Sequence, residues 1–222
     1  MEVIYADNHL LAALKPAGIA TQPHEEASDN FLDRAKQWVK KKYNKPGKVF
    51  LEPIHRLDKP VSGIVLFART SKALSRLQEM MRQQTLHKVY YAWVETGDLE
   101  PQGTLEHYLV HGEHKAHTAS AAHPEAKLAR LHYTILEVNN GKSLVEIVLE
   151  TGRYHQIRAQ FAAIGSPVIG DTKYGSSQKW HKEGIALHHG KLEFLHPVSK
   201  EQINLDAVAY FSKGGTQSKR PR

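Results

Sequence analysis

Val3-Ile4-Tyr5-Ala6 and His9 to Leu14 are apolar runs on either side of Asp7-Asn8, which is the pattern of two short strands and a turn. Lys15-Pro16-Ala17-Gly18 breaks the second run. The period then becomes helical. Phe31, Leu32, Ala35, Trp38 and Val39 form one apolar face, Asp29 stands ready to cap it, and Lys40-Lys41-Lys42 sit at the end that favours cations. Lys45-Pro46-Gly47 stops this helix. A second one begins at Ser71 with Ala73, Leu74, Leu77, Met80 and Met81 inward, the methionines serving as core. Lys88 to Val94 is aromatic and β-branched enough to be a strand. Leu128 to Val138 and Leu144 to Leu149 are two more, joined by the hairpin signal Asn139-Asn140-Gly141. A strand ends at Thr151-Gly152, and a helix with Tyr154, Ile157, Phe161 and Ile164 buried follows it. Ile185 to Phe194 alternates like a late strand.

The segment Glu52 to Arg69 stands apart from these regular patterns. Pro53 and Pro60 bias the residues before them away from helix, so His55-Arg56-Leu57-Asp58 is extended, with Arg56 and Asp58 on one side. Gly63 then releases the chain into the apolar run Ile64 to Ala68. Asp58 is either a turn residue, solvated or paired with Arg56, or an acid offered at the mouth of a buried strand.

Composition narrows the classes. At 222 residues and 41% hydrophobic the chain can build one generous core, so one domain is expected over residues 1–212. Beyond residue 212 the tail Lys-Gly-Gly-Thr-Gln-Ser-Lys-Arg-Pro-Arg has no apolar anchor and is expected to be disordered. A formal charge of +7 attracts phosphate. The absence of cysteine excludes disulfides, thiolate zinc sites and a thiol nucleophile. Leu10 to Leu14 is too short for a signal-peptide core or a membrane span, and a cytoplasmic protein is expected.

Three familiar chemistries fail on spacing. His-Arg-Asp of the protein kinases is interrupted by Leu57, and no Asp-Phe-Gly accompanies it. Gly141-Lys142-Ser143 lacks the glycine of a phosphate loop, because Leu136 holds that place, and its lysine follows a hairpin turn. The polar stretch 98–127 carries His107, His111, His114, His117 and His123. Histidines at every third residue, without an acid to complete the set, do not make a conventional metal site. They read instead as a loop facing RNA or as plain surface.

His55-Arg56-Leu57-Asp58-x-x-x-Ser62-Gly63 before an apolar strand resembles the active-site motif of the RluA-type pseudouridine synthases. Lys88-x-Tyr90, followed by Ala92 and Val94, resembles the second motif of that family. Thr151-Gly152-Arg153-x-His155-Gln156-Ile157-Arg158 and Gly165-x-Pro167-x-x-Gly170-Asp171 resemble its third and most specific segments. The opening strand, turn, strand and Lys15-Pro16-x-Gly18 also match, and the likeness runs from about residue 3 to 200. Val61 departs from the threonine that many members carry.

The resemblance implies an α+β fold, a mixed and mainly antiparallel sheet with flanking helices and a central basic cleft. It implies a catalytic domain without the small RNA-binding domain that precedes it in some relatives. It also implies an isomerase that turns uridine in ribosomal or transfer RNA into pseudouridine, as a monomer and with neither cofactor nor metal. Asp58 would be its catalytic carboxylate, acting as nucleophile or as base. Tyr90 would hold the flipped uracil, and Arg158 would pair with Asp58 and keep it ionised. RNA contacts would come from His55, Arg56, Lys88, Arg153 and His155. Tyr90 can equally be core, and basic residues at a helix start are common in proteins of every kind. A non-catalytic RNA-binding or ribosome-assembly factor on the same fold is the rival reading.

Overall fold

The computed structural model describes residues 1–23, 29–180 and 183–208. The basic tail expected beyond residue 212 lies outside the described residues. The described residues form two compact units, Met1–Leu86 with His189–Ala207, and His87–His188 with Val208. No described helix is long and apolar enough to cross a membrane.

In the first unit β1 (Glu2–Ala6) and β2 (Leu10–Lys15) form the expected hairpin. The Asp7 carboxylate closes it by accepting from His9 N at 2.8 Å and Leu10 N at 2.7 Å. β2 pairs antiparallel with β4 (Ser62–Ala68), and β4 also carries the two-residue β3 (Glu52–Pro53). From β4 the sheet continues to β10 (Leu187–Leu195), whose residues from His189 onward belong here, and to β11 (Gln202–Asp206). The strands are apolar on both sides at β2 and β4 because both sides are covered. Leu10, Ala12, Ile64, Leu66 and Ala68 pack with Ala73 and Leu77 of α2 (Ser71–Arg82), and all seven are inaccessible to solvent.

The helix α1 (Phe31–Lys42) buries Phe31, Leu32, Ala35 and Val39, while Trp38 is half-buried beside Tyr43. Its cap is not Asp29. Asn30 holds the extended cap conformation and accepts from Asp33 N at 3.0 Å, and Asp29 instead pairs with Arg34. Two adjacent residues could each cap, and the buried position goes to the amide because the charged carboxylate keeps better solvation outside.

In the second unit the antiparallel order is β5 (His87–Glu95), β9 (Lys142–Leu149), β8 (Lys127–Asn139), β6 (Gln102–His111) and β7 (Ala116–Ala119). The turn between β8 and β9 has Asn140 and Gly141 at φ of 50° and 72°, the two-residue geometry that Asn-Gly favours. Of the histidine-rich stretch, His107 and His111 lie in β6 and His117 in β7, while His114 and His123 lie between strands. Among the described residues no group of three or more His, Asp or Glu is arranged to hold a metal ion.

The helix α3 (Gln156–Ala163) departs from the amphipathic expectation. Gln156 to Phe161 are all buried, whereas Tyr154 lies before the helix with 37% of its surface exposed and Ile164 is only half-buried. A helix enclosed on every side needs its polar side chains bonded, and two glutamines do this. Gln156 Nε2 donates to Arg130 O at 3.1 Å, and Gln160 Nε2 donates to Leu105 O at 2.9 Å and Ala129 O at 3.1 Å.

Candidate active site

In the first unit the site is built around the peptide of Leu57. Leu57 is 6% exposed, and its backbone is held from both sides by one hydroxyl. Thr21 Oγ1 donates to Leu57 O at 2.8 Å and accepts from Leu57 N at 3.0 Å. Both bonds are buried, so they fix the segment as a strand partner would. Asp58 follows directly, half-buried, and its carbonyl accepts from Val61 N at 3.0 Å to close the turn over Lys59-Pro60. An aspartate carried by a clamped peptide and a proline turn has little freedom of position.

Lys15 lies beneath the same turn at 1% exposure. Its ammonium donates to Pro16 O at 2.9 Å, Ile19 O at 2.8 Å and Lys59 O at 3.3 Å, and Gly18 N donates to the same Lys59 carbonyl at 2.8 Å. Burial pulls the Lys15 ammonium down to about 7, and the Asp58 charge opposes that pull. Three carbonyl acceptors suit the protonated form, which alone has three hydrogens to give. In the sequence Lys15-Pro16-Ala17-Gly18 reads as a strand stop. In three dimensions it is the floor of the Asp58 turn.

His55 and Arg56 part company. Arg56 is exposed. His55 is half-buried, accepts from Leu66 N at Nε2 over 3.3 Å, and packs edge-on against His189 with ring centroids 5.1 Å apart. His189 Nδ1 in turn donates to Ile64 O at 2.7 Å. Gly63 has to be glycine here. At φ +124° a Cβ would stand 2.4 Å from His189 O.

In the second unit Tyr90 is 7% exposed and lies opposite Ile147 in the β5 and β9 ladder. Lys88, two residues earlier, shares its side of the strand by alternation. Burial lowers the Lys88 ammonium below its ordinary value, and its Nζ would be 3.3 Å from a Cβ at Gly152. The glycine of the third motif thus leaves room for the lysine of the second.

The three basic residues of that third motif do not cluster at an exposed helix start. Only Arg153 is exposed, with Nε donating to Leu128 O at 2.9 Å. His155 is 9% exposed, and it occupies the position before α3 in the left-handed conformation, at φ 51°. Arg158 is 4% exposed and forks onto Asp171, with Nε to Oδ2 at 2.6 Å and Nη2 to Oδ1 at 2.9 Å. Its guanidinium also lies over the Tyr174 ring at 5.0 Å. The sequence reading gave Asp171 and Thr21 no part. The Gly-x-Pro-x-x-Gly-Asp spacing was the one signal for Asp171, and nothing local marks Thr21.

The model of the family described as RNA pseudouridylate synthase matches residues 9–163. An uncharacterized RNA pseudouridine synthase, YhcT of Bacillus subtilis, is 33% identical over 93% of this chain and 68% of its own length. The dual-specificity RNA pseudouridine synthase RluA of Pasteurella multocida is 30% identical over 95% of this chain and 94% of its own. A solved human structure, RNA Pseudouridylate Synthase Domain Containing 4, superposes with a TM-score of 0.77 at 21% identity. It covers 92% of this chain and 87% of that one, a likeness of fold.

Proposed function

The chain belongs to the RNA pseudouridylate synthase family, and from that premise we propose that it isomerises particular uridines of ribosomal or transfer RNA with Asp58 as the catalytic carboxylate. The family makes it an isomerase, an RNA pseudouridine synthase. The observation that carries the residue assignment is the pair of hydrogen bonds between Thr21 Oγ1 and the Leu57 backbone, which holds the peptide beside Asp58 on a buried support. A reacting carboxylate gains from such rigidity, because a group held in place spends no orientation entropy at the moment of reaction.

The reaction breaks the bond from ribose C1′ to uracil N1, turns the base and forms the bond from C1′ to C5, and the proton lost from C5 is balanced by one gained at N1, so that the product is an isomer of the substrate. Electrons balance without an oxidant. Asp58 acts at the sugar, as nucleophile or as base. The target base leaves its stack first, at a cost of about a few kcal/mol that is least in loops and bulges. Tyr90 offers an aromatic face to the extruded uracil. Arg158 belongs to the same machinery, and the buried Asp171 fork supports its reading as a residue whose position is tightly set. His55, Arg56, Lys88, Arg153 and His155 are proposed for the RNA, with Arg56 and Arg153 the exposed cations among them. The reading includes a cytoplasmic location and a protein that works as a monomer.

Asp58→Asn tests this directly. Tritium release from RNA carrying C5-labelled uridine is expected to fall below about one per cent of wild type, while RNA affinity stays within a few fold, since the amide is nearly isosteric. Turnover above that level would take Asp58 out of the mechanism.

A further inference from the structure

Two rings given no role above, those of Tyr154 and His111, continue from His155 in the second unit as a stack that reaches solvent. Tyr154 lies on His155 with ring centroids 3.8 Å apart and planes 19° apart. His111, the last residue of β6, lies 4.1 Å from the same Tyr154 ring at 43°. Two rings that close to one centroid have to occupy its opposite faces, because a ring is itself about 3.4 Å thick. Tyr154 is therefore the middle of the stack, His155 its buried end and His111 its exposed end.

The stack is anchored at both ends. His155 Nδ1 meets Tyr174 Oη at 3.0 Å, and Tyr174 Oη accepts from Ala116 N at 2.8 Å. Ala116 stands opposite His111 in the ladder of β6 and β7. Burial pushes the Tyr174 phenol up to about 12, so it stays a neutral hydroxyl that can serve both bonds. Beside it, Lys115, Lys173 and Tyr174 line a hollow of about 550 Å³. Lys173 Nζ also donates to His114 O at 3.1 Å, which ties this hollow to the turn after His111. One acid, Glu113, shares that turn.

We propose that His111, backed by Tyr154 and His155, is a stacking platform for an unpaired nucleobase of the RNA outside the target uridine, with Lys115 and Lys173 attracting its phosphates. A preformed ring presented to solvent beside cations is what a single-stranded segment binds, since every base has a face to stack and every linkage a charge. Tyr154 fills the x of Thr-Gly-Arg-x-His-Gln-Ile-Arg. The inference rests on the RNA-isomerase reading.

The test measures affinity of the full chain for a 12-nucleotide oligoadenylate and for an abasic ribose-phosphate oligomer of the same length. Wild type is expected to favour the first. His111→Ala should lose about 5- to 150-fold on oligoadenylate and little on the abasic strand. His111→Trp should restore the preference, and His111→Lys, which supplies charge without a ring, should not. Equal losses on both strands, a His111→Ala variant that binds as wild type does, or a wild type indifferent to bases would each overturn the platform. Tritium release by wild type on total cellular RNA keeps the two readings apart. With release intact only the platform falls, and without release the isomerase reading falls too.

Discussion

At the scale of single residues, Lys15 sets a pH dependence that can be worked out in sign. Its folded value, about 7, is below that of a lysine in the unfolded chain. Below pH 7 both states hold the proton and the full cost of burying the charge is present. Between 7 and the unfolded value the unfolded chain alone keeps the proton, so stability rises with pH across that window. Against Lys15→Met as reference, wild type should gain about 2 kcal/mol between pH 7 and pH 9, read as the change in the gap between their unfolding free energies. A difference, wild type minus Lys15→Met, that is flat or falls over this range would mean that Lys15 titrates outside it. Thr21 and Lys15 together grip the backbone on either side of Asp58.

At the scale of elements, α3 is an enclosed helix that carries a buried ion pair. Arg158 and Asp171 have side chains only 5% and 2% exposed. Removing one partner of such a pair strands a buried charge and costs about 3–5 kcal/mol, a large share of the roughly 5–15 kcal/mol that holds a domain together. Arg158→Ala should therefore lower the melting temperature sharply as well as abolish turnover. The double variant Arg158→Met with Asp171→Leu should recover most of the melting temperature and none of the turnover. Recovery of both would make Arg158 purely structural. Arg153→Ala, at the surface, should leave melting unchanged and weaken RNA binding. His111 belongs to this scale as well, since its place in β6 gives it a fixed position that a loop could not.

At the scale of the whole chain, the +7 charge predicts salt-sensitive RNA binding. A handful of phosphate contacts at about −0.7 each gives a log-log slope of roughly −3 to −5 in a titration with salt. A slope near zero would make the basic surface incidental, and treatment with chelator is expected to leave turnover unchanged. Strands and hairpins were legible because their signals are local. The apolar run of β4, the helical period of α1 and α2, and Asn140-Gly141 each act within a few residues. The motifs likewise singled out Asp58, Tyr90 and Arg158 as candidates, since their spacing is written in the chain. What the sequence left open was decided by burial and by partners distant along it. Asn30 rather than Asp29 caps α1, Thr21 reaches 36 residues to Leu57, and Asp171 waits 13 residues beyond Arg158. A buried polar atom takes the partner that the packing brings within 3 Å, and packing is a property of the folded chain.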